Sequence, residues 1–217
     1  MTVSELLLRA LAPVVPPACF ACGASAAGAG PLCPACRGGL AWLGGEPIVL
    51  DGSSLEAWAP LAYRGGARAL ARALKLRGAV ALADVMAAQI AAGAPPDLLE
   101  AGALVPVPLP PARRRRRGFN QAESLARALA RRTGAPVVDC LERGGGRGTQ
   151  MGRDRDERLR ALAGTIAVRR RRSPPRTAVL VDDVLTTGAT LLACARALRE
   201  AGTERVAAVA YARTPGR

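Results

Sequence analysis

Ala178-Val179-Leu180-Val181-Asp182-Asp183-Val184-Leu185-Thr186-Thr187-Gly188-Ala189-Thr190 decides the fold. An apolar run stops at two carboxylates, and a Thr/Gly loop then leads into an Ala/Leu/Arg-rich stretch of helical character. Such a short apolar run predicts a buried parallel strand, with its crossover helix over residues 189–201. The loop therefore lies at the carboxyl end of a strand and the amino end of a helix. Open α/β sheets bind phosphorylated ligands there, because unpaired backbone N–H groups and the helix dipole both favour an anion.

Asp182 and Asp183 add a second chemistry. Carboxylates beside a phosphate cradle repel the ligand unless they accept hydrogen bonds from hydroxyls or face a divalent cation. Hydroxyl acceptor, phosphate cradle and helix N-terminus in one stretch describe a ribose 5-phosphate site. Taken separately, each half has a plainer reading: an acid pair at a strand end, and threonines serving a turn. The whole stretch resembles the phosphoribosyl-pyrophosphate (PRPP) motif of type I phosphoribosyltransferases. That resemblance implies Asp182 and Asp183 as the candidate catalytic pair on the ribose hydroxyls. It puts Thr186, Thr187, Gly188, Ala189 and Thr190 around the 5-phosphate.

At 217 residues the chain suits one α/β domain plus a small appendage. Half of it is hydrophobic but only 3% is aromatic, so Ala, Val and Leu must fill the core. Histidine is absent, which excludes His-based acid/base catalysis and His-ligated metals. The formal charge of +14 attracts nucleic acid, polyphosphate or anionic lipid without sequence preference, unless it only reflects Arg-rich codon usage. Lys75 is the sole lysine among arginines, which is either chance or a need for a compact ammonium. Residues 6–15 are apolar, but Arg9 interrupts them and no basic region precedes them, so they do not read as a secretory signal. No uncharged apolar segment reaches the roughly 18 residues a membrane span needs. The expected location is cytoplasmic, with no membrane insertion.

Cys19-x-x-Cys22 and Cys33-x-x-Cys36 have the spacing of a structural tetrathiolate Zn2+ site. Four protein ligands leave no open metal position. Gly23 suits the knuckle turn, and residues 23–30 the loop between the pairs. Two disulfides and a redox pair are the rivals; a reducing compartment disfavours the first, and a single-motif βαβ context is missing for the second. Cys140 and Cys194 read as buried core thiols.

Along the rest of the chain, residues 4–11 carry a helical pattern and residues 44–47 look like a linker. Residues 48–50 and 55–63 predict short strands joined by a turn at 51–53. Helical spacing runs from 67 through 76, stops at Gly78, resumes from 80 to about 91 and is closed by Pro95-Pro96. Leu104-Val105-Pro106-Val107-Pro108 predicts a short strand entering a rigid loop. Five arginines, Arg113 to Arg117, follow, then Asn120 as N-cap of a helix to about 132, with Glu123 placed for a capping box. Strands are expected at 137–141, 165–168 and 205–212. Residues 143–160, rich in Gly and charge, are a candidate lid. Strand–helix alternation over 100–212 predicts right-handed βαβ units and a mainly parallel sheet.

Taken together, the four-cysteine head, Tyr63-Arg64-Gly65, Lys75, Val105-Pro106-Val107-Pro108, Arg117-Gly118-Phe119-Asn120-Gln121-Ala122, Thr149-Gln150, Arg158 and the PRPP-like motif resemble the ComF family, the phosphoribosyltransferase-like proteins linked to bacterial competence. The chain departs from the family pattern at Ala161, where Asn is usual, at Thr165-Ile166, and in the Thr149–Gln150 spacing. The resemblance implies an α/β fold: a type I phosphoribosyltransferase-like, mainly parallel sheet flanked by helices (46–217), with a small N-terminal zinc head (1–45). It implies PRPP or a related phosphoribosyl ligand bound with Mg2+, and a pyrophosphate loop after Pro108. Lys75, Arg113 and Arg117 then serve as cationic binding groups. Three functions follow as alternatives: DNA uptake with single-stranded DNA or competence-helicase partners, phosphoribosyl transfer to an unidentified base, or a non-catalytic PRPP-binding scaffold.

Overall fold

In the computed structural model, residues 18–26, 30–50, 52–77, 80–99, 102–144 and 164–214 are described below. The helix expected over 4–11, together with Gly78, Thr149, Gln150, Arg158 and Ala161, lies outside them, as does most of the candidate lid.

The decisive stretch forms β7 (Thr177–Leu185) followed by α7 (Ala189–Glu200). The strand runs four residues further than its apolar run, so both carboxylates stand on it rather than after it. It is flanked by β4 (Ala103–Pro106) and β8 (Arg205–Arg213), parallel on both sides. Beyond β8 lie β2 (Glu56–Trp58) and the antiparallel edge strand β1 (Ile48–Val49). β3 (Leu61–Ala62) continues along β8 where β2 leaves off. The strand expected over 55–63 is thus broken in two around Pro60, which has no N–H to give a ladder.

Each face of the sheet carries its own core. Val179 and Val181 face α2 (Gly65–Arg77), α3 (Val80–Gly93) and α6 (Gln121–Thr133), whose Leu70, Leu74, Met86, Ile90, Leu125 and Leu129 are buried. Ala178 and Leu180 face α7, whose Leu191, Cys194 and Leu198 fill the second cluster together with Cys140. Both thiols are fully buried, as their apolar settings predict.

Three further elements differ from the sequence expectation. α3 is not the last helix before β4, because Pro96 opens a further turn, α4 (Pro96–Leu99), at the first helical position, where its missing N–H does no harm. The arginine run, to which the sequence reading assigns no element, forms α5 (Pro111–Arg117), again begun by proline and closed by Gly118 at φ 77°. Asn120 caps α6 as expected, accepting from Ala122 N–H at 3.1 Å, whereas Glu123 binds Arg127 instead of completing the capping box. The strand expected at 137–141 shifts to β5 (Leu141–Arg143) and pairs antiparallel with β6 (Ile166–Val168) as a separate two-stranded sheet packed on α7.

The head comprises a Cys19–Gly23 turn and α1 (Pro34–Gly38). Its Leu32 and Leu40 share the first core cluster with Leu61 and Leu70. A Cβ on Gly66 of α2 would come within 3.1 Å of both leucines and 3.2 Å of Cys36 carbonyl oxygen. Residues 44–47 are tied back to the sheet, since Gly45 carbonyl accepts from Trp58 Nε1 at 3.1 Å.

Candidate phosphoribosyl site and cysteine centre

Strand periodicity sends neighbouring side chains to opposite faces, and it separates the acid pair. Asp182 turns toward α7 and lines a solvent-open hollow of about 220 Å³ with Val184, Leu185, Thr186, Thr187, Gly188, Ala189, Thr190 and Leu191. Asp183 turns toward α2 and α6 and is 3% exposed. There Lys75 Nζ stands 2.7 Å from its Oδ2, an ionic contact off the line of a well-directed hydrogen bond. Gln121 Nε2 donates to its Oδ1 at 3.5 Å, and Arg117 Nη1 donates to Gln121 Oε1 at 3.0 Å. The lone lysine has a partner that matches its chemistry.

Asp182 keeps one oxygen on its neighbour, with Oδ1 accepting Asp183 N–H at 2.8 Å. Burial, and then the adjacent Asp183 charge, push its carboxyl well above the ordinary carboxylate range. A carboxyl that binds its proton more tightly when folded favours the fold below the unfolded pKa and loses that advantage as pH rises toward its folded value. Asp182→Asn is therefore expected to raise Tm at neutral pH and leave it unchanged near pH 3.5, read by calorimetry at both pH values.

The loop after β7 is set by Gly188, which is the N-cap of α7 at φ 76°. A Cβ there would meet Leu50 Cδ1 at 2.8 Å in addition to occupying the left-handed region. Ala189 N–H reaches Thr187 Oγ1 at 3.4 Å, and Thr214 Oγ1 donates to Thr186 carbonyl at 3.4 Å. The start of a twelve-residue helix, two threonine hydroxyls and a close-approach glycine make an arrangement that could hold an anion. Gly188→Ala is expected to weaken phosphate-ligand binding at least tenfold and to lower stability by about 1–2 kcal/mol, measured by titration calorimetry and thermal melting.

Residues 107–110 leave β4 beside this strand: Val107 N–H donates to Val181 carbonyl at 3.0 Å, and Val107 carbonyl accepts from Asn120 Nδ2 at 3.0 Å. On α5, Arg113 is exposed, whereas Arg117 is half-buried and engaged with Gln121. Two residues escaped sequence reasoning. Gln121 was visible only as part of the Arg-Gly-Phe-Asn-Gln-Ala stretch. Arg143, half-buried on β5, has no acidic partner among the described residues; burial and then Arg113 push its guanidinium below its usual value.

The second centre is the cysteine cluster. The Sγ atoms of Cys19, Cys22, Cys33 and Cys36 lie within 4.8 Å of one another, with Cys22 and Cys33 at 3.8 Å. Tetrahedral thiolates at about 2.3 Å from Zn2+ stand roughly 3.8 Å apart, the spacing already found between Cys22 and Cys33, so the donor set suits that ion. Hydrogen bonding from Cys33 backbone leads in lowering the Cys19 thiol to about 6, while hydrogen bonds with Cys22 and Cys33 lead in raising Cys36 to about 12. The cluster could hold a metal ion, and its four ligands would saturate it.

These features agree with what the chain resembles. A family model described as phosphoribosyl transferase domain matches residues 76–217. Competence protein F of Haemophilus influenzae is 38% identical over 107 residues, 48% of this chain and 47% of that protein. Competence protein ComFC of Bacillus subtilis is 35% identical over 99 residues, covering 46% and 39%, and that of Streptococcus pneumoniae 36% over 105 residues, covering 47% and 44%. The aligned part thus spans under half the length of these curated relatives. No helix among the described residues is long and apolar enough to cross a membrane. With the family model matched over well more than half its residues, the chain belongs to the phosphoribosyl transferase domain family.

Proposed function

We propose that this protein binds PRPP with Mg2+ and serves DNA uptake in the cytoplasm, as a ComF-type phosphoribosyltransferase-like protein. The observation that carries the ligand reading is the hollow in which Asp182 faces the threonine–glycine loop at the start of α7. The loop would take the 5-phosphate, and Asp182 would accept from the ribosyl diol. Residues 107–110 would lie along the pyrophosphate, with Arg113 supplying positive charge and Lys75 and Arg117 standing behind in the Asp183 network. Carboxylate and hydroxyl oxygens are hard donors that suit Mg2+. Bound with PRPP, that ion would offset pyrophosphate charge. If transfer occurs, the bond from C1 to pyrophosphate oxygen breaks and one from C1 to an acceptor nitrogen forms. The protein's share is then positioning and charge stabilisation, which need no histidine. In this reading residues 1–45 are the zinc head and 46–217 the phosphoribosyltransferase-like domain. Titration calorimetry with PRPP, with and without Mg2+, tests it: saturable binding strengthened by the ion is expected, and absence of any binding ends it.

The competence part rests on the relatives' names and on the exposed arginines of α5 and of residues 170–172. Single-stranded DNA binding should fall steeply with salt, its slope reduced when Arg113 to Arg116 are replaced by Gln. A salt-independent affinity would sink that part. Competence helicases as partners, transfer to a base, and a silent PRPP scaffold are then separated by assaying pyrophosphate release and transformation in the Asp182→Asn strain.

A further inference from the structure

Neighbouring carboxylates in a phosphate site are usually treated as a pair, but here they belong to different faces of the sheet. Both oxygens of Asp183 are occupied, Oδ2 by Lys75 at 2.7 Å and Oδ1 by Gln121 at 3.5 Å, and the side chain is 4% exposed. Gln121 is itself held by Arg117. Asp182, by contrast, lines the hollow with an oxygen to spare beyond the one on Asp183 N–H. We propose that Asp182 alone meets the ribosyl hydroxyls, and that Asp183 is a positioning residue which, clamped by Lys75 and Gln121, fixes the strand and aims its neighbour into the hollow.

The proposal rests on the reading above that the hollow takes a phosphoribosyl ligand. It explains the single lysine. A guanidinium is wider and demands a forked partner, whereas one Asp183 oxygen is already taken by Gln121, so a compact ammonium fits. It also gives Gln121 a purpose, as the hydrogen-bond donor to a buried carboxylate whose other oxygen makes an ionic contact only. A buried ion pair harms the protein most when one member is removed, and removing both is often neutral. That asymmetry makes a test.

Affinity for ribose 5-phosphate with Mg2+ and Tm are measured on the full chain for Asp182→Asn, Asp183→Asn, Lys75→Met, Lys75→Arg and the double Lys75→Met/Asp183→Asn variant. Asp182→Asn should lose at least tenfold in affinity without a fall in Tm. Lys75→Met should lose both affinity and Tm, because an unpaired buried carboxylate pulls toward solvent. Lys75→Arg should recover part of each, and the double variant should regain Tm together with most of the affinity. If Asp183→Asn weakens binding as much as Asp182→Asn at unchanged Tm and the double variant stays weak, Asp183 is itself a ligand group and the proposal is wrong. If Lys75→Met lowers Tm alone, the clamp is structural only, and the proposal again fails. A wild-type protein that binds neither ribose 5-phosphate nor PRPP removes the phosphoribosyl reading itself, a result distinct from either of those.

Discussion

Chelation of the purified protein at neutral pH should release about one zinc per chain and lower Tm by more than about 10 °C, with the loss reversed on adding Zn2+ back. Apparent zinc affinities of four-ligand sites correspond to about 10–16 kcal/mol of folding free energy, as large as the whole stability of an ordinary domain. The damage should not stay in the head. Cys19, Cys33, Leu32 and Leu40 lie in the same buried cluster as Leu61, Leu70 and Leu74, so a head that opens exposes the base of α2. Cys36→Ser should act in the same direction, leaving three thiolates around an incompletely held ion. Elemental analysis and differential scanning calorimetry read both effects. Metal-free protein that melts at the temperature of the untreated sample would rule out a structural ion.

Gly102→Ala should be the most disruptive single substitution away from the cysteines. A Cβ at that position would stand 2.2 Å from Thr177 carbonyl oxygen and 2.6 Å from its carbon, and both are backbone atoms that cannot turn aside. Ala103 pairs with Ala178 directly beyond, so relief requires β4 to peel from β7 at its first rung. Overpacking of a rigid site costs about 1–3 kcal/mol and sometimes more; with backbone as the obstacle the upper end is expected, or a fall in Tm of roughly 6–12 °C for a chain of this size. Because β4 would separate from the strand that carries the acid pair, ligand affinity should fall with it. An Ala variant that melts with the wild type would contradict the close packing described here.

Much of this architecture is legible from the residues. The β7–α7 unit could be read because a run buried on both faces, a polar strand end and an Ala/Leu helix each leave a strong periodic signature. The CxxC pairs could be read because spacing alone brings four sulfurs together. The arginine run received no element because charge says nothing about backbone; Pro111 at its first helical position and Gly118 behind it are the helix signals. The strand expected at 165–168 is present as β6, but its pairing with β5 was not read, because three-residue strands are too short to show alternation. Leu55 to Tyr63 looked continuous because apolar content hides a missing N–H at Pro60. For the acid pair, period-2 geometry foretells opposite faces, but not what waits there. Lys75 and Gln121 arrive from two helices distant in sequence, and nothing local announces the meeting.

β7 is hydrogen-bonded to β8 from Thr177 to Leu185 and to β4 over residues 178–181, while among the described strands β5 and β6 pair only with each other. Opening a central strand means breaking two ladders at once, so its amides should be among the last to exchange with deuterated solvent, and those of the hairpin well before them. The site then has a floor that keeps its shape through ordinary thermal breathing and a neighbouring wall that does not. A ligand would find its hydroxyl acceptor already in place, and whatever adapts to the ligand would have to adapt around that fixed point.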